Sequence, residues 1–286
     1  MSKILCCGNA TLDIINHVPH YPQEDEEMRA TRQERHSGGN AANTALVLSQ
    51  HGHDVSFVGT FACDTDGDWL LKQMQRSGID IAGVVRHQGS TPTSCITLNT
   101  LNGSRTIVHH RDLNELNGEE LGRIKPSQSD WLHFEGRNVT ELIQLIPALA
   151  NRQRKYRISL EVEKHRPGIQ ELLIHADTVM FSRVYAEHQG YTNPEAFLSA
   201  LQIKLPEKLM TCTWGTDGVW YYHKNAIRHV PAVSGITVVD TIGAGDTFNA
   251  GLIHSLLGQP DVHQAVSYAN RLAGRKIAQQ GLHHLF

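Results

Sequence analysis

Two short stretches of this sequence hold residues able to do chemistry together. The first is Asp240-Thr241-Ile242-Gly243-Ala244-Gly245-Asp246-Thr247-Phe248-Asn249-Ala250-Gly251. Small residues at 243–245 let the backbone approach a ligand closely, and they fall where a helix begins. The unpaired amides of a first helical turn, with the positive end of the dipole, bind anions. Asp246 lies in that turn. A carboxylate there can take a proton from a hydroxyl while the amides of Gly243, Ala244 and Gly245 hold the oxygens of a transferring phosphoryl group. Glycines alone would read as an ordinary helix opening; the Asp at this position and the preceding Asp-Thr point to a site.

The second stretch is Ser37-Gly38-Gly39-Asn40-Ala41-Ala42-Asn43. Two glycines expose backbone at a helix start, and two asparagines three apart share one face. Asparagine amides both donate and accept, as recognition of a polyol requires. Taken alone, the same pattern also fits an N-cap with turn-forming glycines.

Elements must position these residues. Lys3–Gly8 is an apolar run that predicts a buried strand, and Ala42, Ala45, Leu46 and Leu48 predict a helix closed by Gly52. Further strands are expected at 55–61, 131–135, 157–163 and 178–182, and helices at 67–76 and 140–152. Segments 209–214 and 219–223 pair across Gly-Thr-Asp-Gly, and helices from about 244 and 261 finish the chain. The alternation predicts an α/β fold with a mostly parallel sheet covered on both faces. Extended segments at 11–36 and 88–111, the latter turning at Asn102-Gly103, interrupt it and are expected to form a small β lid. The whole of 1–286 reads as one domain.

Twenty-six basic and 29 acidic residues give a net charge of −3, which argues against nucleic acid or an anionic membrane as partner. Five cysteines, none in C-x-x-C spacing, fit free thiols in a reducing compartment. No apolar run approaches the ~20 residues of a membrane span. A soluble, cytoplasmic protein is expected. Glu161 and Glu163, on one face of a strand, read as ion-pair partners, and Arg137 likewise.

Together the two motifs resemble the signatures of the ribokinase-like (PfkB) sugar kinases, in that family's order, and the resemblance spans nearly the whole chain. Thr11-Leu12-Asp13, Tyr21-Pro22-Gln23-Glu24-Asp25, Gly103-Ser104-Arg105-Thr106-Ile107, Glu135-Gly136-Arg137-Asn138 and Glu161-Val162-Glu163-Lys164 are most similar to its ketohexokinase branch. The resemblance implies a ribokinase-like, doubly wound sheet and transfer of the ATP γ-phosphoryl group to a primary hydroxyl of a ketohexose, D-fructose to fructose 1-phosphate. Asp13, Gly39, Asn40 and Asn43 would hold the sugar with Asp246 as base. Asp25 would reach the sugar of a partner subunit in a homodimer paired through the lids. Arg105 would face the phosphates, while Gly215, Thr216, Asp217, Gly218 and Asn270 would line the nucleotide site. Mg²⁺ would arrive with ATP, and a monovalent cation such as K⁺ would lie beside Asp240. The family's Asn-x-x-Glu is missing at Ser182-Arg183-Val184-Tyr185, which leaves the placement of Mg²⁺ open. Another sugar, a sugar phosphate or a nucleoside is the alternative acceptor, and a silent sugar- or nucleotide-binding protein the alternative class.

Overall fold

Uninterrupted apolar runs require cover on both faces, and the main sheet receives it. The computed structural model describes residues 1–151, 153–258 and 261–286. Its largest sheet has eight strands in the order Ala226–Val230, Val219–His223, Leu209–Thr213, Thr178–Ser182, Arg157–Val162, Trp131–Glu135, Lys3–Cys7 and Asp54–Val58. The last six run parallel, and the first two are antiparallel additions at one edge.

Alternate side chains feed two separate cores. Ile4, Cys6 and Trp131 pack under the helices Asn40–Gln50, Ala244–Gly258 and Val262–Ile277, while Leu5, Cys7 and Leu132 meet Val139–Leu149 and Pro194–Gln202 on the opposite face. Because the six parallel strands share a direction, their C-terminal ends open at one edge, where ligands of such sheets bind. Cys7, Glu135, Val162, Ser182 and Thr213 end there.

The extended segments form a separate four-stranded sheet in the order Arg32–Gly38, Thr11–Val18, Thr93–Asn99 and Arg105–His110. On its inner face Ile15, Ile96 and Leu98 pack against Ile242 of the anion turn, so this sheet is seated over the motif it must cover.

Some boundaries differ from expectation. The strand expected at 55–61 breaks at Gly59, where a Cβ would lie 2.4 Å from the carbonyl oxygen of Gly8. Thr60–Ala62 then leaves the main sheet and pairs with Val85–His87. The expected helix 140–152 runs Val139–Leu149, and Arg152 lies outside the described residues. Edge strand Ala226–Val230 had not been anticipated. Among the described residues no helix is long and apolar enough to cross a membrane.

Candidate active site

The helix Asn40–Gln50 is apolar nearly all round, and residues 41–48 are buried. Its N-cap, Gly39, has φ +100°, and a Cβ there would meet the Asn9 carbonyl oxygen at 2.3 Å. Glycine therefore lets this helix start hard against the end of strand Lys3–Cys7. At the neighbouring Gly38 a Cβ would strike the Asp13 carboxylate at 2.1 Å, so the missing side chain is the space that Asp13 occupies.

The second motif meets the first in space. Gly243 (φ +76°) turns the chain into the helix Ala244–Gly258, most of which is buried against Asn40–Gln50 and Val262–Ile277. Asn43 Nδ2 donates to Asp246 Oδ2 at 2.7 Å, joining residues 203 apart in sequence. A Cβ added at Gly245 would meet nothing within 4 Å, so the helix opening is uncrowded there.

Asp13, Gly39, Asn40, Asn43, Arg105, Gly243, Ala244, Gly245 and Asp246 all line one cavity of about 310 Å³. Arg105 reaches from the four-stranded sheet to Thr241 Oγ1. An adjoining cavity of about 580 Å³ shares Asp13, Asn43 and Ile242 but lies away from Asp246. Of these two cavities, the smaller contains both the base candidate and the anion turn.

Its electrostatics are acidic at depth. Burial, opposed by the Asn43 bond and reinforced by Glu163, Glu135 and Asp13, pushes the Asp246 carboxyl up to about 8. Burial also raises Asp13 and Glu135. Glu135 Oε2 accepts from the Asn9 amide at 2.9 Å. Glu161, 6% exposed, is raised well above the carboxylate range by burial and by Asp246, Glu135 and Glu163. Arg105, Lys164 and Arg166 supply the opposite sign on the same walls.

The ion-pair reading of Glu161 needs correction. Asn40 Nδ2 donates to Glu161 Oε1 at 3.1 Å and to Glu163 Oε2 at 3.2 Å, and no cation pairs with Glu161 among the described residues. Its Oε2 is buried without any hydrogen-bond partner. Arg137 does form an ion pair, with Glu115 at 2.5 Å, and also lines the cavity. Glu135, Glu161 and Glu163 thus join the site. Their mark in the sequence is position: each lies at the C-terminal end of a parallel strand, or just beyond it.

Other expected residues lie elsewhere. Asp25 occupies an exposed turn at φ +62° and lines neither cavity of its own chain. Gly215, Thr216 and Asp217 form a 3₁₀ turn, and Gly218 brings segment 230–232 so close that a Cβ would lie 2.2 Å from the Val230 carbonyl oxygen. Asn270 Nδ2 donates to the Pro231 carbonyl at 2.8 Å. These residues share one neighbourhood at the sheet edge, but none lines the 310 Å³ cavity.

Asp240 does not present a free carboxylate to a monovalent cation. Its Oδ2 takes the Lys276 ammonium at 2.6 Å, its carbonyl takes the same ammonium at 2.9 Å, and Oδ1 accepts from the Ile242 amide at 2.8 Å. A cation is already built into the chain here, and K⁺ does not fit beside Asp240 while Lys276 stays. For Mg²⁺ the fit is better. Among the described residues no three His, Cys, Asp or Glu side chains cage a metal, yet Glu161 leaves a buried oxygen without a partner. A cation held by phosphates and one or two carboxylates suits such walls.

Comparison with known proteins agrees with this geometry. The pattern of the pfkB family carbohydrate kinases matches residues 1–284. Mouse ketohexokinase is 33% identical over 98% of this chain and 97% of its own length. Ribokinase of Bacillus subtilis is 26% identical over 98% of this chain and 94% of its own. Among solved structures, ribokinase from Giardia lamblia superposes with a TM-score of 0.84 at 19% identity, covering 99% of this chain and 96% of that one. With its cradle of first-turn amides, its buried aspartate and its match along nearly the full length, this chain belongs to the pfkB family of carbohydrate kinases and is an ATP-dependent sugar kinase.

Proposed function

We propose that the chain phosphorylates a ketohexose, D-fructose at O1, from Mg·ATP. The observation that carries this reading is the convergence of Asp13, Asn40, Asn43 and Asp246 on one cavity beside the turn Gly243–Gly245 at the start of a helix. The mouse relative's name, ketohexokinase, supports the acceptor.

Asp13 and the oxygen of Asn40, whose NH₂ group holds Glu161 and Glu163, orient the sugar hydroxyls. Asn43 fixes the Asp246 carboxylate so that one oxygen remains for the attacking hydroxyl. Asp246 accepts that proton as the oxygen attacks in line, and a raised pKa makes it a stronger base. Amides of Gly243, Ala244 and Gly245 stabilise charge developing on the phosphoryl oxygens, with Arg105 and Lys164 beside them. Mg²⁺, when bound with the nucleotide, neutralises and orients the phosphates. The four-stranded sheet acts as a lid that excludes water, and Gly215–Gly218 with Asn270 hold the nucleotide's far end.

A sugar-phosphate acceptor would need unpaired cations beyond the sugar. Arg32 and Arg35 line the adjoining cavity but pair with Glu34 and Asp66. An ADP-release assay over fructose, tagatose, sorbose, ribose, fructose 6-phosphate and adenosine, with NMR of the product, tests the reading. Fructose should give the highest kcat/KM, with phosphate on O1. Higher kcat/KM on another acceptor would move the specificity and leave the chemistry in place.

Pairing of two chains through their lids follows from the same reading. Edge strand Arg105–His110 is exposed along its length, with Ile107 48% and Val108 69% exposed. An open apolar edge invites a second copy, which would bring the partner's lid, and with it the Asp25 turn, to the sugar. Light scattering should give twice the 31.8 kDa chain mass. Asp25→Asn should raise KM for the sugar about tenfold while leaving the dimer intact, the loss of about one charged hydrogen bond. A monomer with full activity would sink this arrangement.

A further inference from the structure

The family's Asn-x-x-Glu is missing from this chain, and the structure shows what replaced it locally. Ser182, at the Asn position, caps the helix Arg183–His188 by accepting from the Tyr185 amide at 3.1 Å. Tyr185, at the Glu position, is buried against Phe181 and Phe197. The carboxylate that this helix does carry, Glu187, pairs with Arg183 at 2.6 Å and does not line the cavity of Asp246. The neighbouring strand Arg157–Val162 carries two carboxylates at and just past its C-terminal end, and Ser182 Oγ donates to the Glu163 carbonyl, tying the two strand ends together.

We propose that Glu161 and Glu163 form the divalent-cation site of this enzyme, one strand over from the missing motif. Asn40 clasps both carboxylates with one NH₂ group, so they sit side by side on the wall of the cavity that holds Asp246 and the anion turn. Glu161 Oε2 has no donor, although the side chain is buried. A buried acceptor without a partner is destabilising, more so when charged, unless a ligand supplies what is missing. Lys164, 3.4 Å from Glu163, is mostly exposed and free to swing to a phosphate. Mg²⁺ is commonly held by one or two carboxylates, waters and substrate phosphates, which is what this wall offers.

The proposal rests on the kinase reading above, and the test separates the two. Mn²⁺ binding is followed by EPR in the presence of ADP, with ADP affinity measured separately in EDTA. Wild type should bind Mn²⁺·ADP. Glu163→Gln and Glu161→Gln should each weaken Mn²⁺ at least about tenfold while ADP affinity in EDTA stays unchanged. Glu119→Gln, on an exposed helix, is the control. Glu163 is partly exposed, so its variant keeps the test valid if Glu161→Gln fails to fold. Wild-type Mn²⁺ affinity in Glu163→Gln would overturn the site and leave the kinase standing. Failure of wild type to bind ADP at all would overturn both.

Discussion

Asp246→Asn should lower kcat by about 10²–10⁴-fold, the contribution of a positioned general base, with ADP affinity unchanged. Asparagine keeps the shape and cannot accept the proton. Asn43 would then face an amide in place of a carboxylate, and its own amide can turn to suit it. Circular dichroism would check the fold and calorimetry the nucleotide affinity. Retention of most turnover would remove Asp246 as the base. The same residue sets the pH dependence. Burial comes first among the causes that push its carboxyl up to about 8, with Glu163, Glu135 and Asp13 adding to it. Below that pH the base carries its proton and cannot accept another. The kcat/KM profile for the sugar should therefore rise about tenfold per pH unit toward 8 and level off above it. A flat profile from pH 6 to 9 would contradict this assignment. Glu163→Gln removes the largest of those neighbouring charges and should move the limb to lower pH.

The second large effect concerns stability. Lys276→Met should destabilise the fold by about 3–5 kcal/mol, because removing one partner strands the other charge in the interior. Lys276 is fully buried, and Asp240 is 8% exposed. Besides Lys276, the Asp240 carboxylate takes the Ile242 amide and the Gly281 amide at 3.1 Å, so the pair ties the anion turn to the chain's last segment. Burial lowers the Lys276 pKa, and the Asp240 bond opposes that fall. Urea unfolding measures the loss. Combining Lys276→Met with Asp240→Asn should restore part of it, since no uncompensated charge then remains. Equal loss in the single and double variants would show that the ammonium acts through packing alone.

Much of this molecule was legible before folding. The apolar runs at 3–8, 131–135 and 178–182 are strands because sheets covered on both faces leave no polar alternation to misread. Gly52, at φ +78°, follows the helix Asn40–Gln50 where a left-handed residue was required. Asn40, Asn43, Gly243–Gly245 and Asp246 could be named because each motif is local: the turn and the side chains it presents lie within a few residues. The strand at 55–61 was drawn too long because its last residues pair with Val85–His87, outside the main sheet, and no short-range pattern records that partner.

Charge partnership was decided only in three dimensions. Glu161 looked like half of an ion pair, yet its partner is Asn40, some 120 positions earlier, while Glu163 does pair with Lys164 and shares the same amide. Asp240 looked available to a cation until Lys276 arrived from another helix. Periodicity records which face of a strand or helix a residue occupies, and short motifs record local backbone geometry. Neither records what a distant element brings to a side chain, and in a buried acidic site that neighbour decides whether a carboxylate is a base, a ligand or half of an ion pair.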